Sequence, residues 1–228
     1  MEKFNKIKFK FNKLLYFLFC EKFNQKINFE FPLNISRWDL INTLINKKNF
    51  NSYLEIGCDD DYAFSKIDVK KKIGVDPYSG GNFKATSDEF FLQNKDNFDC
   101  IFIDGLHEYD QVYKDILNSL KFLNHDGVIL LHDCLPSSVH QQAVPRYKRT
   151  WNGDVWKAIV NIRTNNDYDT VTCKIDQGVS IIRKVNNVNR LKSDINNFKK
   201  LKFKDFYYNH QSYMRIIDYE KIFDYLKL

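Results

Sequence analysis

From Tyr53 onward, short apolar runs alternate with stretches whose apolar residues recur every three or four positions. The runs are Tyr53–Gly57, Lys72–Asp76, Phe98–Asp104 and Gly127–Leu131, with a shorter one near Phe83–Ala85. Near-continuous apolar runs of this length predict strands buried on both faces. Between them, residues 62–67, a segment opening at Ser87, and Tyr109–Leu123 predict helices. The last carries Val112, Ile116, Leu117 and Leu120 at helical spacing. Alternating strands and helices predict an α/β fold, a parallel sheet with helices on both faces. Residues 134–151 follow as a long connection containing Pro136 and Pro145. A helix is expected over Asp154–Ile162, then strands Thr170–Ile175 and Val179–Arg183. The turn Asp176-Gln177-Gly178 between them makes an antiparallel hairpin. A parallel sheet that ends in such a hairpin differs from the pattern of dinucleotide dehydrogenases.

The flanks read differently. Residues 1–31 predict a basic, Phe-rich helix, broken at Phe31-Pro32. A second helix begins near Ser36, whose side chain can cap it, and carries Trp38, Leu40, Ile41, Leu44 and Ile45. Residues 190–228 read as helical and Tyr-rich, too short and too charged for a domain. The expected organisation is an N-terminal helical extension (1–35), one α/β domain (36–184) and a C-terminal helical extension (185–228). Leu14–Cys20 is apolar but far below the ~20 residues that span a bilayer, so no transmembrane segment is expected. Three readings remain for that stretch, in this order: a packing helix, a contact that makes a homo-oligomer, or a membrane-surface helix.

Length allows one substantial core in 228 residues. The net charge of +6 is unevenly placed: residues 1–31 carry seven basic and three acidic side chains, and residues 185–228 nine and five. The middle is mildly acidic, which counts against nucleic acid as a partner. The five cysteines are scattered and include no C-x-x-C pair, so free thiols in a reducing cytoplasm are expected.

Ligands of open α/β sheets bind outside the carboxyl ends of the strands. The first strand ends in Glu55-Ile56-Gly57-Cys58-Asp59-Asp60-Asp61, with one glycine and three acids. Such a loop repels a pyrophosphate and accepts a cationic ligand; it also reads as an acidic surface turn. Asp76, ending the second strand, stands where an acid can accept from ribose hydroxyls. Ser87-Asp88 follows the short third run; Asp88 reads equally as an adenine acceptor or as a first-turn acid of a helix. Asp104 and Asp133 end neighbouring strands, with His107 and His132 beside them. Two carboxylates and an imidazole without a thiol describe a site for Mg²⁺ or Mn²⁺. His107 titrates near neutrality and can serve as a general base.

The segments YLEIGCDDDYAF, KIGVDPYSGG, ATSDEFF, FDCIFIDGLHEYDQVYKDI and GVILLHDCLP, in this order, resemble the class I S-adenosylmethionine-dependent methyltransferases. The likeness spans roughly residues 36–184. It is nearest to the methyltransferase-24-type branch, which includes metal-dependent O-methyltransferases of natural-product sugars and proteins linked to surface-glycan synthesis. The resemblance implies a Rossmann-like fold with a mostly parallel, seven-stranded sheet ending in an antiparallel hairpin. It implies S-adenosylmethionine and a divalent metal as cofactors, and a small-molecule or glycan hydroxyl as acceptor. Glu55, Gly57 and Asp59 would line the methionine end, Asp76 would hold the ribose, and Ser87 and Asp88 the adenine edge. Asp104 would serve both cofactor and metal, with Asp133 a second metal ligand and His132 a companion. His107 would take the acceptor's proton. Residues 134–151, with His140, Arg146, Lys148, Arg149 and Trp151, would wall the acceptor. The segment WNGDVWKAI also looks familial, without an assigned role. Many such enzymes carry glycine where this chain has Asp61, and often at Asp59. Two other readings therefore stand beside the enzyme: a degenerate binding protein of the same fold, and a nucleic-acid methyltransferase suggested by the basic ends.

Overall fold

The computed structural model describes residues 2–228, with side chains from Lys6 onward; Met1 of the N-terminal extension lies outside the described residues. The helices are α1 (Glu2–Phe19), α2 (Arg37–Lys48), α3 (Ser87–Gln93), α4 (Tyr109–Lys121), α5 (Val155–Ile162), α6 (Phe203–Met214) and α7 (Lys221–Leu226). The strands are β1 (Ser52–Ile56), β2 (Lys71–Val75), β3 (Phe98–Ile103), β4 (Leu123–Leu131), β5 (Asp169–Cys173), β6 (Val179–Arg183) and β7 (Ile216–Ile217). They form one seven-stranded sheet in the order β2-β1-β3-β4-β6-β5-β7. Strands β2, β1, β3 and β4 run parallel, and β6 is antiparallel to both β4 and β5.

The sheet is buried on both faces because its strands are apolar at successive positions. Along β3, Ile101 and Ile103 enter one core and Cys100 and Phe102 the other, as the two-residue period requires. The first core also receives Val112, Ile116 and Leu120 of α4, Trp156 and Ile159 of α5, and Phe203 and Phe206 of α6. The second receives Leu40, Ile41, Leu44 and Ile45 of α2, and Ile222 and Leu226 of α7. Helix α2 starts as expected: Ser36 is extended, and its backbone N–H donates to Asp39 Oδ2 at 3.0 Å.

Four elements differ from the sequence reading. The first helix stops at Phe19 instead of running to residue 31. Beyond it, Ile27, Phe29 and Phe31 alternate at period two, and Lys26 pairs with Ser138 in an isolated bridge. The run near Phe83 shrinks to one bridge, Phe83 to Val75. The seventh strand is β7, which pairs parallel with β5 and lies in the stretch read as helical. Arg215, in the left-handed region at φ 46°, ends α6 and frees Ile216 and Ile217 for the sheet edge. Residues 62–67 make only a short 3₁₀ turn, Phe64–Lys66.

Candidate active site

A cavity of about 770 Å³ opens at the carboxyl ends of β1, β2, β3 and β4. Glu55, Gly57, Asp59, Asp76, Ser87, Asp88, Asp104, His107, His132 and Asp133 all line it. The residues expected to hold cofactor, metal and proton thus face one space, with Arg146 and Trp151 of the expected acceptor wall, whereas His140, Lys148 and Arg149 of that wall do not line it.

The β1 loop is shaped by backbone packing. Gly57 has φ 88°, and a Cβ there would lie 2.5 Å from the Asp104 carbonyl oxygen. Only glycine lets the β1 and β3 ends approach so closely. Asp59 and Asp61 both adopt the left-handed region, at φ 47° and 62°. Aspartate tolerates this better than most residues, so the turn expected of glycines is built with acids. The Asp61 carboxylate is held by the Gly81 backbone N–H, which directs it to the neighbouring loop.

Asp76 accepts from the backbone N–H groups of Tyr78 and Ser79 at 2.9 Å and of Asp59 at 3.1 Å. Burial opposes its charge, but these donors outweigh it and lower the pKa. Three of its roughly four lone-pair positions are taken, which leaves room for about one hydroxyl. Glu55 is buried, and burial raises its pKa to about 8; the Tyr53 hydroxyl donates to it at 2.5 Å. Burial thus favours the protonated acid at this point of the cavity wall.

Asp88 sits in the first turn of α3, which Thr86 caps with Glu89. Lys114 pairs with Asp88 at 2.6 Å, so one oxygen is committed. Gln111 reaches Ser87, Asp88 and Asp115 at 3.1, 3.3 and 3.0 Å. Gln111 and Asp115 line the same cavity and were not anticipated. The available signal was an acid on the apolar face of α4: Asp115 is buried there, whereas Leu117 is 37% exposed.

At the other end, Asp104, His107 and Asp133 offer ligand atoms within 4.8 Å of one another. His107 Nε2 lies 3.3 Å from Asp104, and Nδ1 lies 3.1 Å from Asp133. Burial opposes the imidazolium, but the Asp104 hydrogen bond and both negative charges raise the His107 pKa. His132, expected as a companion ligand, faces the same two carboxylates. Its Nε2 donates to the Asp176 carbonyl at 2.8 Å, and its Nδ1 faces Asp104 at 3.1 Å and Asp133 at 3.7 Å, an orientation in which the neutral ring offers the Nδ1 lone pair to a metal. His107 stands on the other side of the pair.

Two further charges complete the network, both missed from sequence. Arg37 contacts Asp104 at 3.5 Å and Asp176 at 3.0 Å, and Asp176 contacts His132 at 3.4 Å. Arg37 lies on the first turn of α2, and Asp176 in the β5–β6 turn read only as a hairpin signal. Sequence distance hid them; the β6–β4 pairing brings in Asp176, which in turn accepts from the Arg37 backbone and guanidinium.

The segment Trp151–Asp154 has a defined job. The Trp151 ring stacks on His107 with centroids 5.2 Å apart. Asn152 Nδ2 donates to Asp133 at 3.0 Å, and the Asp154 N–H to the His107 carbonyl at 3.1 Å. Gly153, at φ 60°, has no room for a Cβ, which would fall 1.8 Å from the His107 carbonyl oxygen. Arg146 lies over the outer face of Trp151 at 5.3 Å.

The family profile described as a methyltransferase domain, Methyltransf_24, matches residues 72–134. No curated protein matches the chain. Among solved structures, the chain is similar to the cofactor-bound Rv0187 from MTB, at 11% identity over 69% of this chain and 85% of that one, with a TM-score of 0.52. It is also similar to a putative caffeoyl-CoA O-methyltransferase from Staphylococcus aureus, at 19% identity over 77% and 91% of the two chains, with a TM-score of 0.49. The O-methyltransferase from Bacillus cereus in complex with SAH gives 11% identity, 77% and 97% coverage, and a TM-score of 0.48. The mostly parallel seven-stranded sheet with its antiparallel end is a Rossmann-like fold, shared with Rv0187. The matched residues 72–134 include Asp76, Asp88, Asp104, His107 and Asp133.

Proposed function

We propose that this chain is an S-adenosylmethionine-dependent O-methyltransferase that acts on a hydroxyl of a sugar, glycan or other small molecule with a divalent cation. One observation carries the reading. A single cavity joins the Gly57 loop, Asp76 and Ser87-Asp88 to the cluster of Asp104, His107 and Asp133. The first group suits a nucleoside with a cationic amino-acid tail, and the second suits an acceptor hydroxyl.

The donor set fits the implied metal: the Asp104 and Asp133 carboxylates with the His132 Nδ1 beside them, and no thiol, select a hard or borderline divalent ion. Asp104 and Asp133 would hold it, and its chemistry would be to lower the pKa of an acceptor hydroxyl. His107, fixed between the two carboxylates and under the Trp151 ring, would accept the proton. Arg37 holds the Asp104 carboxylate in place and offsets its charge. Trp151 and Arg146 form an aromatic and cationic wall suited to a sugar ring or an anionic group. With the acceptor oxygen held in line, much of the rate would come from orientation.

A second reading follows from Arg37. Its guanidinium already lies against Asp104, so transfer could proceed without a metal.

Isothermal titration with S-adenosylhomocysteine, with and without Mg²⁺ or Mn²⁺, tests the proposal. Micromolar binding is expected, and a chelator should abolish methyl transfer to a sugar acceptor. Absence of binding in every condition would leave a degenerate member of the fold. Chelator-resistant transfer would favour the metal-free reading.

A further inference from the structure

Helix α1 has two apolar faces, and the fold uses one. Asn12, Tyr16 and Phe9 turn inward. Asn12 Nδ2 donates to the Arg146 carbonyl at 2.8 Å, and the Tyr16 ring packs on Tyr147 with centroids 5.6 Å apart. On the opposite side, Ile7, Phe11, Leu14 and Leu18 recur at helical spacing and are 63, 59, 54 and 57% exposed. Phe17 and Phe19 extend this apolar surface at the helix end. Contiguous exposure of this kind marks an interaction surface, unlike single apolar residues scattered over a protein.

Charge decides what covers it. From Lys3 to Cys20 the chain carries five lysines and no acid. Lys6, Lys10 and Lys13 fall on one flank of the stripe and Lys8 on the other, all exposed. A second copy laid on the stripe would bring lysine rows together, and like charges across an interface are unfavourable. An anionic lipid surface meets both features. Its acyl boundary takes the apolar stripe, while the lysine stems lie along that boundary and the ammoniums reach the headgroups. No helix among the described residues is long and apolar enough to cross a membrane, so α1 would lie in the interface plane.

We infer that α1 docks this protein on an anionic membrane surface, with Ile7, Phe11, Leu14 and Leu18 inserted and the flanking lysines on the headgroups. The docked helix is tied to the proposed acceptor wall: Asn12 holds Arg146, which lines the cavity. The inference does not rest on the catalytic reading.

Co-sedimentation of the full chain with vesicles tests it. One set is phosphatidylcholine alone; the other mixes phosphatidylcholine and phosphatidylglycerol in equal parts. The protein should bind the mixed vesicles at least about tenfold more tightly, with the preference falling as salt rises. Phe11→Glu with Leu14→Glu should abolish binding, and Lys6→Gln, Lys10→Gln and Lys13→Gln together should weaken it at least about tenfold. All five side chains are exposed, and circular dichroism checks that each variant keeps its fold. Failure of the folded wild type to bind mixed vesicles would overturn the inference. So would undiminished binding by either folded variant. A dimer in sedimentation velocity that Phe11→Glu dissociates, without vesicle binding, would assign the face to a second copy instead.

Discussion

At the scale of single residues, His107 and Asp115 carry the sharpest tests. His107→Ala removes the group placed between Asp104 and Asp133. Turnover should fall by about 10²–10⁴-fold, the usual worth of a positioned general base. The affinity for S-adenosylhomocysteine, read by titration, should change little. Unchanged turnover would remove the proton-accepting role. Asp115 is 1% exposed, and burial raises its pKa to about 6, against the weaker opposing pull of Ser87 and Gln111. A pKa raised on folding adds stability that is present below the unfolded value and is lost as pH rises through the folded one. Asp115→Asn should therefore be nearly neutral near pH 4. Near pH 8 it should stabilise by up to roughly 3 kcal/mol. Denaturant midpoints at the two pH values read the difference, and a gap independent of pH would show that Asp115 does not titrate in this range. Legibility at this scale followed local context. Asp76, Asp104 and Asp133 were readable because each ends an apolar strand run. Arg37 and Asp176 were not, because nothing near either in sequence marks it as a site residue.

At the scale of elements, the start of α5 decides the geometry of the His107 loop. Gly153 and Asp154 press their backbone against His107, and Asn152 holds Asp133. A Cβ at residue 153 would drive the His107 carbonyl away. Gly153→Ala should thus displace the imidazole by a sizeable fraction of an ångström, which costs about 10²-fold in turnover, and should lower the melting temperature. Paired kinetics and thermal unfolding check this; wild-type turnover in a folded variant would show that the loop does not depend on the contact. The segment stood out in sequence by likeness alone, since a glycine before a helix has many uses. Its specific use appears only when the carbonyl it must clear is known. The same holds for β7. Two isoleucines after a helix carry no strand signal, and the edge of β5 recruits them. Helix α1, by contrast, was legible as a basic, Phe-rich helix, but three uses of its apolar stretch stood open: packing, self-association and a membrane surface.

At the scale of the whole molecule, the apolar runs and the helical periods between them were sufficient to determine an α/β sheet covered on both faces. Those signals are local, and the two- and 3.6-residue periods reflect backbone geometry that any tertiary context preserves. Strand-end positions then predicted which acids would meet, because parallel strands bring their carboxyl ends to one edge. What the sequence left open were matters of distance between chain-remote groups. The fold decided that His107 and His132 flank the Asp104–Asp133 pair, with His132 Nε2 on the Asp176 carbonyl. It also brought Arg37 from α2 and Asp176 from the terminal hairpin to Asp104. The N- and C-terminal extensions pack into the body, with Tyr16, Phe203, Phe206, Ile222 and Leu226 in its two cores. Hydrophobic periodicity states which face of an element is buried. Only packing states against what, and electrostatic partnership follows from that second fact.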